Sequence, residues 1–369
     1  MAPNPTPDTT TEFPGPVVDG FDQLLGSNVV LVTGKGGVGK TTAAASLALA
    51  GAASGRRTLL VEVEGRQSLH TLFGTAAWDY KEREFRPGLW GSALDPADAV
   101  YEYLEMFYGL KRVQWLMERS SALDFVTTAA PGLRDLLLIG KVYEIEARRG
   151  EDGRRQFDLI VVDAPPTGRI VPFLEAPEGV TEIVRVGPIK RQAAQIRDML
   201  TDPARTRAVI VSLLEEMPVT ETIEGVTALQ AAGIAVGPLI ANQVVRPRLD
   251  AEAADALRAL GPEGLRDRAE AAGATMSGTT AELALDLAEA HRRRLALQAR
   301  LRAQLAEQTG VPVLALPLLT GADFDVRELE RLADTLTWQV GEPVTGVEDL
   351  VTGLAGDPAA VSSDAGGAA

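Results

Sequence analysis

The chain has 369 residues, 46% of them hydrophobic, enough to bury one large core or a core with an embedded subdomain. Its formal charge of −15 repels nucleic-acid phosphates and anionic lipid over most of the surface, so no nucleic acid is expected as a partner. Cysteine is absent and only His70 and His291 supply imidazole, which excludes disulfides, thiolate zinc sites, iron–sulfur clusters, a cysteine nucleophile and a multi-histidine metal centre.

Residues 1–26 are rich in Pro, Thr, Asp and Gly and lack the basic start and apolar run of a signal peptide, so a disordered tail on a cytoplasmic protein is expected. A first strand is predicted over Asn28–Thr33. It runs into Gly34-Lys35-Gly36-Gly37-Val38-Gly39-Lys40-Thr41, the pattern GxxxxGK[ST], and then into Thr42 and an Ala-rich helix that Gly51 or Gly55 can close. A strand before and a helix after is the context a phosphate-binding loop requires, which a plain Gly-rich turn does not share. Glycines let backbone N–H groups turn toward phosphate oxygens, and the helix N-terminus adds partial positive charge. In such a loop Lys40 bridges the β- and γ-phosphates and the Thr41 hydroxyl ligates magnesium. Lys35 is additional: ordinary loop geometry does not call for it, and its position reaches a phosphate held by a facing subunit. The helix that follows is too short to cross a bilayer and other apolar runs are broken by charge, so no membrane span is expected.

A second strand is predicted over Thr58–Val63. The stretch from there to the next predicted strand, Phe157–Asp163, is far longer than one crossover helix needs, and helical periodicity dominates from about residue 96 to 149. This predicts an inserted helical subdomain. Every tyrosine, and every tryptophan but Trp338, falls between Trp78 and Tyr143, with Met106, Phe107, Met117 and Phe125 among them. Two readings are open: a surface for an apolar client, or the subdomain's own core. The strand ending in Asp163 delivers a carboxylate beside the loop, suited to holding magnesium through water. Further strands are predicted over Arg207–Leu213, Val236–Asn242 and Val313–Leu316. Helices at about 251–308 end in a long one starting near Thr279, whose His291–Arg294 run reads as a solvated face. The alternation predicts an α/β fold with a doubly wound, mostly parallel sheet, folded over about 27–340 and followed by a disordered tail at 341–369.

Residues 34–41, GKGGVGKT, resemble the deviant Walker A signature of the arsenite-pump ATPase (ArsA), the eukaryotic tail-anchored-protein targeting ATPase and the MinD/ParA group. The run Asp163-Ala164-Pro165-Pro166-Thr167-Gly168-Arg169 resembles switch II of the ArsA and tail-anchored branch. Ala241-Asn242-Gln243 resembles its adenine-reading element, in which an Asn amide pairs with the purine edge, and Pro317-Leu318-Leu319 resembles the loop packed on the base. The resemblance implies a P-loop ATPase fold with ATP and Mg2+ as ligands. It places Gly34, Lys35, Gly36, Gly37, Val38, Gly39, Lys40, Thr41, Thr42, Asn242, Pro317 and Leu318 around the nucleotide, and Thr41 and Asp163 at the metal. Lys35 and Lys40 become catalytic, Lys35 acting across a nucleotide-sandwich dimer.

Where the family writes an aspartate that orients the attacking water, alignment through Phe73-Gly74 puts Glu64, one methylene longer. A misplacement of about 1 Å can cost roughly a hundredfold in rate. Two functions are therefore open: an ATP-hydrolysing dimeric switch coupled to a client or membrane partner protein, or a regulatory, poorly hydrolysing subunit of a heterodimer. With no cysteine, neither the family's zinc clasp nor arsenite binding is expected. One P-loop requires a second polypeptide, either a second copy or a paralogous P-loop ATPase. The VEVEGRQ and DAPPTGR runs resemble the paired actinobacterial ArsA-like ATPases, which implies the heterodimer. Location is expected in the cytoplasm, or peripheral at the membrane through a partner. Positioning on DNA or membrane needs a basic patch or a C-terminal amphipathic helix, which the residues after Gly341 do not offer.

Overall fold

A computed structural model describes residues 26–63, 68–96, 98–99, 102, 132–183, 188–249, 251–320 and 324–339. The tails expected from composition, the expected site residue Glu64 and much of the expected helical insert lie outside the described residues.

In chain order the elements are β1 (Val29–Gly34), α1 (Lys40–Ala53), β2 (Thr58–Glu62), α2 (Leu69–Leu72), β3 (Arg83–Arg86), β4 (Leu89–Ala93), α3 (Leu133–Ala147) and β5 (Leu159–Asp163). There follow α4 (Thr167–Ile183), α5 (Pro188–Thr201), β6 (Thr206–Leu213), α6 (Glu216–Ala231), β7 (Leu239–Val244), α7 (Ala251–Ala271), α8 (Gly278–Thr309), β8 (Val313–Pro317) and α9 (Val326–Trp338). The strands form one eight-stranded sheet in the order β3-β4-β2-β5-β1-β6-β7-β8. Every pairing is parallel except the β3–β4 hairpin. Strands β1, β2, β5 and β8 are buried along their whole length, as continuous apolar runs covered on both faces must be.

Helices cover both faces. On one, Ala44, Leu47 and Ala48 of α1 and Leu329, Leu332 and Leu336 of α9 pack with Val30, Val32, Leu60 and Val161. On the other, α3, α4, α5, α6 and α8 bury Leu138, Phe173, Met199, Val226 and Leu301 against Leu31, Leu59 and Val162. This three-layer doubly wound arrangement is the predicted α/β fold. β1 lies between β5 and β6 at the point where the strand order reverses, which opens a crevice at the carboxyl ends of these strands. At the far edge Gln339 donates to the Ala315 carbonyl at 2.7 Å and accepts from its N–H at 2.8 Å, which blunts the exposed edge of β8.

All six predicted strands are present, but β3 and β4 were not predicted. Their sequences, Arg83-Glu84-Phe85-Arg86 and Leu89-Trp90-Gly91-Ser92-Ala93, lack a β-branched run. The free edge of β2 decides their conformation by pairing with β4 in register from Thr58–Leu89 to Glu62–Ala93. The described aromatics here are packing groups. Trp78 lies 4.9 Å from Phe85 and 6.1 Å from Phe73 between ring centroids, and Trp90 meets Phe157 edge-on at 5.5 Å. Tyr80 donates to Glu102, whose other bonds come from the buried Lys141. Burial followed by this hydrogen bond pushes the Tyr80 hydroxyl far above its ordinary pKa. Tyr101, Tyr103, Tyr108, Trp115, Met106, Phe107, Met117 and Phe125 lie outside the described residues. α7 is broken at Gly261 (φ 63°) before Pro262, and α8 runs as predicted from near Thr279 to a stop at Gly310. In the predicted solvated run, Arg292–Arg294 are exposed but His291 is half-buried against α7.

Candidate nucleotide-binding site

The buried β1 strand fires the chain out of the sheet centre at Gly34. Its φ is 151°, and a Cβ there would stand 2.2 Å from the Val211 carbonyl oxygen of β6, so only glycine passes. Gly37 (φ 85°) and Gly39 (φ 90°) lie in the left-handed region and turn the backbone inward before α1 begins at Lys40. A Cβ at Gly36 or Gly37 would meet no atom within 4 Å, so the crest of the loop is open. α1 starts with no side-chain cap and no acidic residue in its first turn. Its first N–H groups and the positive end of its dipole are thus left for an anion.

Lys40 is 8% exposed, and its Nζ donates at 3.4 Å to the Lys35 carbonyl, which folds the ammonium back under the loop. Thr41 donates through Oγ1 to Asp163 Oδ2 at 2.7 Å, across from the end of β5. Asp163 is 9% exposed, and the following segment is tied to β1 by Ala164 N–H to the Val32 carbonyl (2.9 Å) and by the Thr33 hydroxyl to the Pro165 carbonyl (2.6 Å). Thr42 sits half-buried beside Thr41 in the first turn. Val38 is buried and anchors the loop to the α1 layer.

Side chains from β7 and α6 bond the loop itself, and α8 and the end of β8 hold the end of β7 beside it. Asn242, at the end of β7 and 5% exposed, donates from Nδ2 to the Val38 carbonyl at 2.9 Å and accepts from the Gln243 N–H at 2.9 Å. Each end of its amide keeps one further bonding site. Gln243 takes φ 55°, and Gln298 of α8 holds that corner by accepting from the Val245 N–H at 2.9 Å. Pro317 ends β8, the Leu318 N–H bonds the Val244 carbonyl at 2.9 Å, and Leu318 remains 38% exposed. Lys35 pairs with Glu221 of α6 at 2.6 Å, both side chains about a third exposed.

The residues present fit a nucleotide with magnesium. The open loop crest, the uncapped helix start and the buried Lys40 suit a polyphosphate. The hydroxyl of Thr41 and the carboxylate of Asp163 are the hard oxygen donors that Mg2+ takes beside phosphate and water. Among the described residues no group of three or more His, Asp or Glu gathers to hold a metal alone. The structure brings Gly34, Lys35, Gly36, Gly37, Val38, Gly39, Lys40, Thr41, Thr42, Asp163 and Asn242 to one crevice, with Pro317 and Leu318 at the end of strand β8. Sequence reading missed Glu221 as the partner of Lys35 and Asn242 as a brace for the loop, since neither contact leaves a local signal.

A family model for anion-transporting ATPases (ArsA) matches residues 27–192 and 183–260. The chain belongs to this family. ATPase BagA of Mycobacterium tuberculosis is 37% identical over 340 residues, covering 89% of this chain and 98% of that relative. ATPase GET3 of Candida glabrata is 25% identical over 60% of this chain and 74% of its own length. ATPase ARSA1 of Chlamydomonas reinhardtii is 25% identical over 66% of this chain and 38% of its own. The first family-model segment contains the whole P-loop and Asp163, and the second contains Asn242. Among the described residues no helix is long and apolar enough to cross a membrane.

Proposed function

We propose that this chain binds ATP with Mg2+ and hydrolyses it as one half of a dimer, using the nucleotide state to change its hold on a client or membrane partner protein. The observation that carries the reading is the Thr41–Asp163 hydrogen bond beneath a loop whose helix start has neither cap nor acid. Lys40 and the inward N–H groups would hold the β- and γ-phosphates, and Thr41 and Asp163 would hold the cation. Magnesium would supply charge neutralisation between those phosphates. In this reading Asn242 meets the purine edge and Leu318 its face, which favours ATP among nucleotides.

Lys35 is placed to act on a facing subunit's phosphate once its pairing with Glu221 opens. Asp163 leads directly through Pro165 and Pro166 into α4. A shift at the γ-phosphate position is therefore transmitted to the helical layer through a stiff dipeptide. A second reading, a regulatory subunit that hydrolyses poorly, is favoured by one sequence observation: Glu64 stands where the family has aspartate.

Steady-state ATP turnover with Mg2+ separates the two, measured for the protein alone and mixed with a paralogous P-loop ATPase, with Lys40→Ala as the dead-loop control. Turnover by the protein alone that vanishes in Lys40→Ala supports the self-sufficient dimer. Turnover only in the mixture, with Glu64→Asp raising turnover by the chain alone, supports the regulatory reading, and no change in Glu64→Asp argues against it. No ATP binding by the intact protein overturns both.

A further inference from the structure

The acid that ends β5 has a neighbour that the proposed chemistry does not use. β2 and β5 run parallel and in register, and their last residues, Glu62 and Asp163, are ladder partners. Such partners project to the same face of the sheet. Leu60 and Val161, two residues earlier on each strand, pack with α1, which makes this the face that carries the P-loop helix. Glu62 is only 1% exposed. Its Oε1 accepts both the N–H and the hydroxyl of Ser68, each at 3.1 Å. Its Oε2 is buried with no hydrogen-bond partner among the described residues.

A buried carboxylate oxygen without a donor is destabilising and calls for a missing partner. A fold that needed only to hold Ser68 would be served by glutamine, which brings an acceptor and no charge. We propose that Glu62 is a second carboxylate of the divalent-cation site, with Oε2 accepting a hydrogen bond from a water in the cation's shell. The inference rests on the proposed binding of ATP with Mg2+. Mg2+ dehydrates reluctantly and keeps several waters beside one or two carboxylates and the phosphates, so a carboxylate on the strand next to Asp163 is placed to meet that shell. Because Oε1 holds Ser68, Glu62 also links the cation to the start of α2. Glu62 is thus a positioning residue that couples metal occupancy to that segment.

The test uses the full chain, a fluorescent ADP analogue and Mn2+ as the probe metal. ADP affinity is measured first in EDTA, and Mn2+ is then titrated into the ADP-bound protein and followed by electron paramagnetic resonance. Glu62→Gln keeps an acceptor for Ser68 but puts an N–H2 group in place of Oε2. It is expected to leave ADP affinity in EDTA unchanged and to weaken Mn2+ about tenfold, the usual effect of losing an outer-shell partner. Glu62→Asp, which keeps the charge on a shorter stem, is expected to fall between wild type and Glu62→Gln, and carries the test should the latter not fold. Equal Mn2+ affinity in wild type and variant, with a higher Tm for Glu62→Gln, would overturn the inference and leave Oε2 as a buried acceptor only. If wild type fails to bind ADP with or without metal, the nucleotide reading fails as well. ADP binding without a change in metal affinity sinks the role of Glu62 alone.

Discussion

Gly39→Ala tests whether the P-loop is held by side-chain bracing from β7. Gly39 has φ 90° and ψ 32°, a backbone state that costs an alanine about 1–2 kcal/mol. Its Cβ would also stand 2.2 Å from Asn242 Nδ2. The obstacle is the end of a side chain, so Asn242 swings away rather than the backbone. That breaks the 2.9 Å bond to the Val38 carbonyl and leaves a buried acceptor unpaired, a further cost of about 1–3 kcal/mol. Gly39→Ala is therefore expected to destabilise by about 2–5 kcal/mol in total. In an Asn242→Ala background the obstacle and the bond are already gone, and the same substitution should cost only about 1–2 kcal/mol. The double-mutant cycle, read by urea denaturation of all four proteins, should give a coupling of about 1–3 kcal/mol. Equal costs of Gly39→Ala in both backgrounds would refute the bracing argument and leave backbone strain as the whole effect.

Glu146, with a side chain 1% exposed, accepts from Arg205 at 2.6 Å and from Arg155, so Glu146→Ala strands two guanidinium groups. A loss of about 3 kcal/mol in urea denaturation is expected, whereas a surface-like loss below about 1 kcal/mol would contradict the burial. The Asp158 carboxyl is held below its ordinary range chiefly by its side-chain hydrogen bond with Arg57, against the opposing effect of burial. Its stabilisation is fully present above the unfolded value near ~3.9 and is lost as pH falls through the lower folded value. Asp158→Asn should remove this part of the acid limb, worth about 0.5–1 kcal/mol for a pair that is 40% and 41% exposed, and an unchanged pH–stability curve would count against it. Lys35→Ala should change stability by less than about 1 kcal/mol because its pair with Glu221 is open to solvent. The same variant should lose ATP-dependent dimer formation in sedimentation velocity, and retention of the dimer would end the proposed role across the interface.

The central β1–loop–α1 unit was legible because its determinants are local. Glycines stand where φ must be positive, an apolar run precedes them and an alanine run follows. The same holds for β5, whose four apolar residues lead directly to Asp163, the acid bonded to Thr41. Only half of a parallel fact was readable at β2. Its ending in Glu62 is plain in the sequence, but that Glu62 and Asp163 share a rung depends on two strands far apart in the chain lying side by side. β4 was invisible for a related reason, since Gly91-Ser92 interrupts the strand preference of Leu89-Trp90 until the edge of β2 supplies a partner.

The sequence by itself determined the layer architecture and the phosphate-binding loop, because these follow from the period of apolar residues and from glycines at positive φ, and it pointed to the family through the resemblance of its GKGGVGKT and DAPPTGR runs. Only the tertiary structure decided what braces the loop. Asn242 reaches Val38 across 204 positions of chain, Lys35 reaches Glu221 across 186, and Ser68 closes on a Glu62 whose second oxygen meets no donor among the described residues. Such contacts are set by strand order and register, which depend on how all the buried faces pack together and not on any one segment.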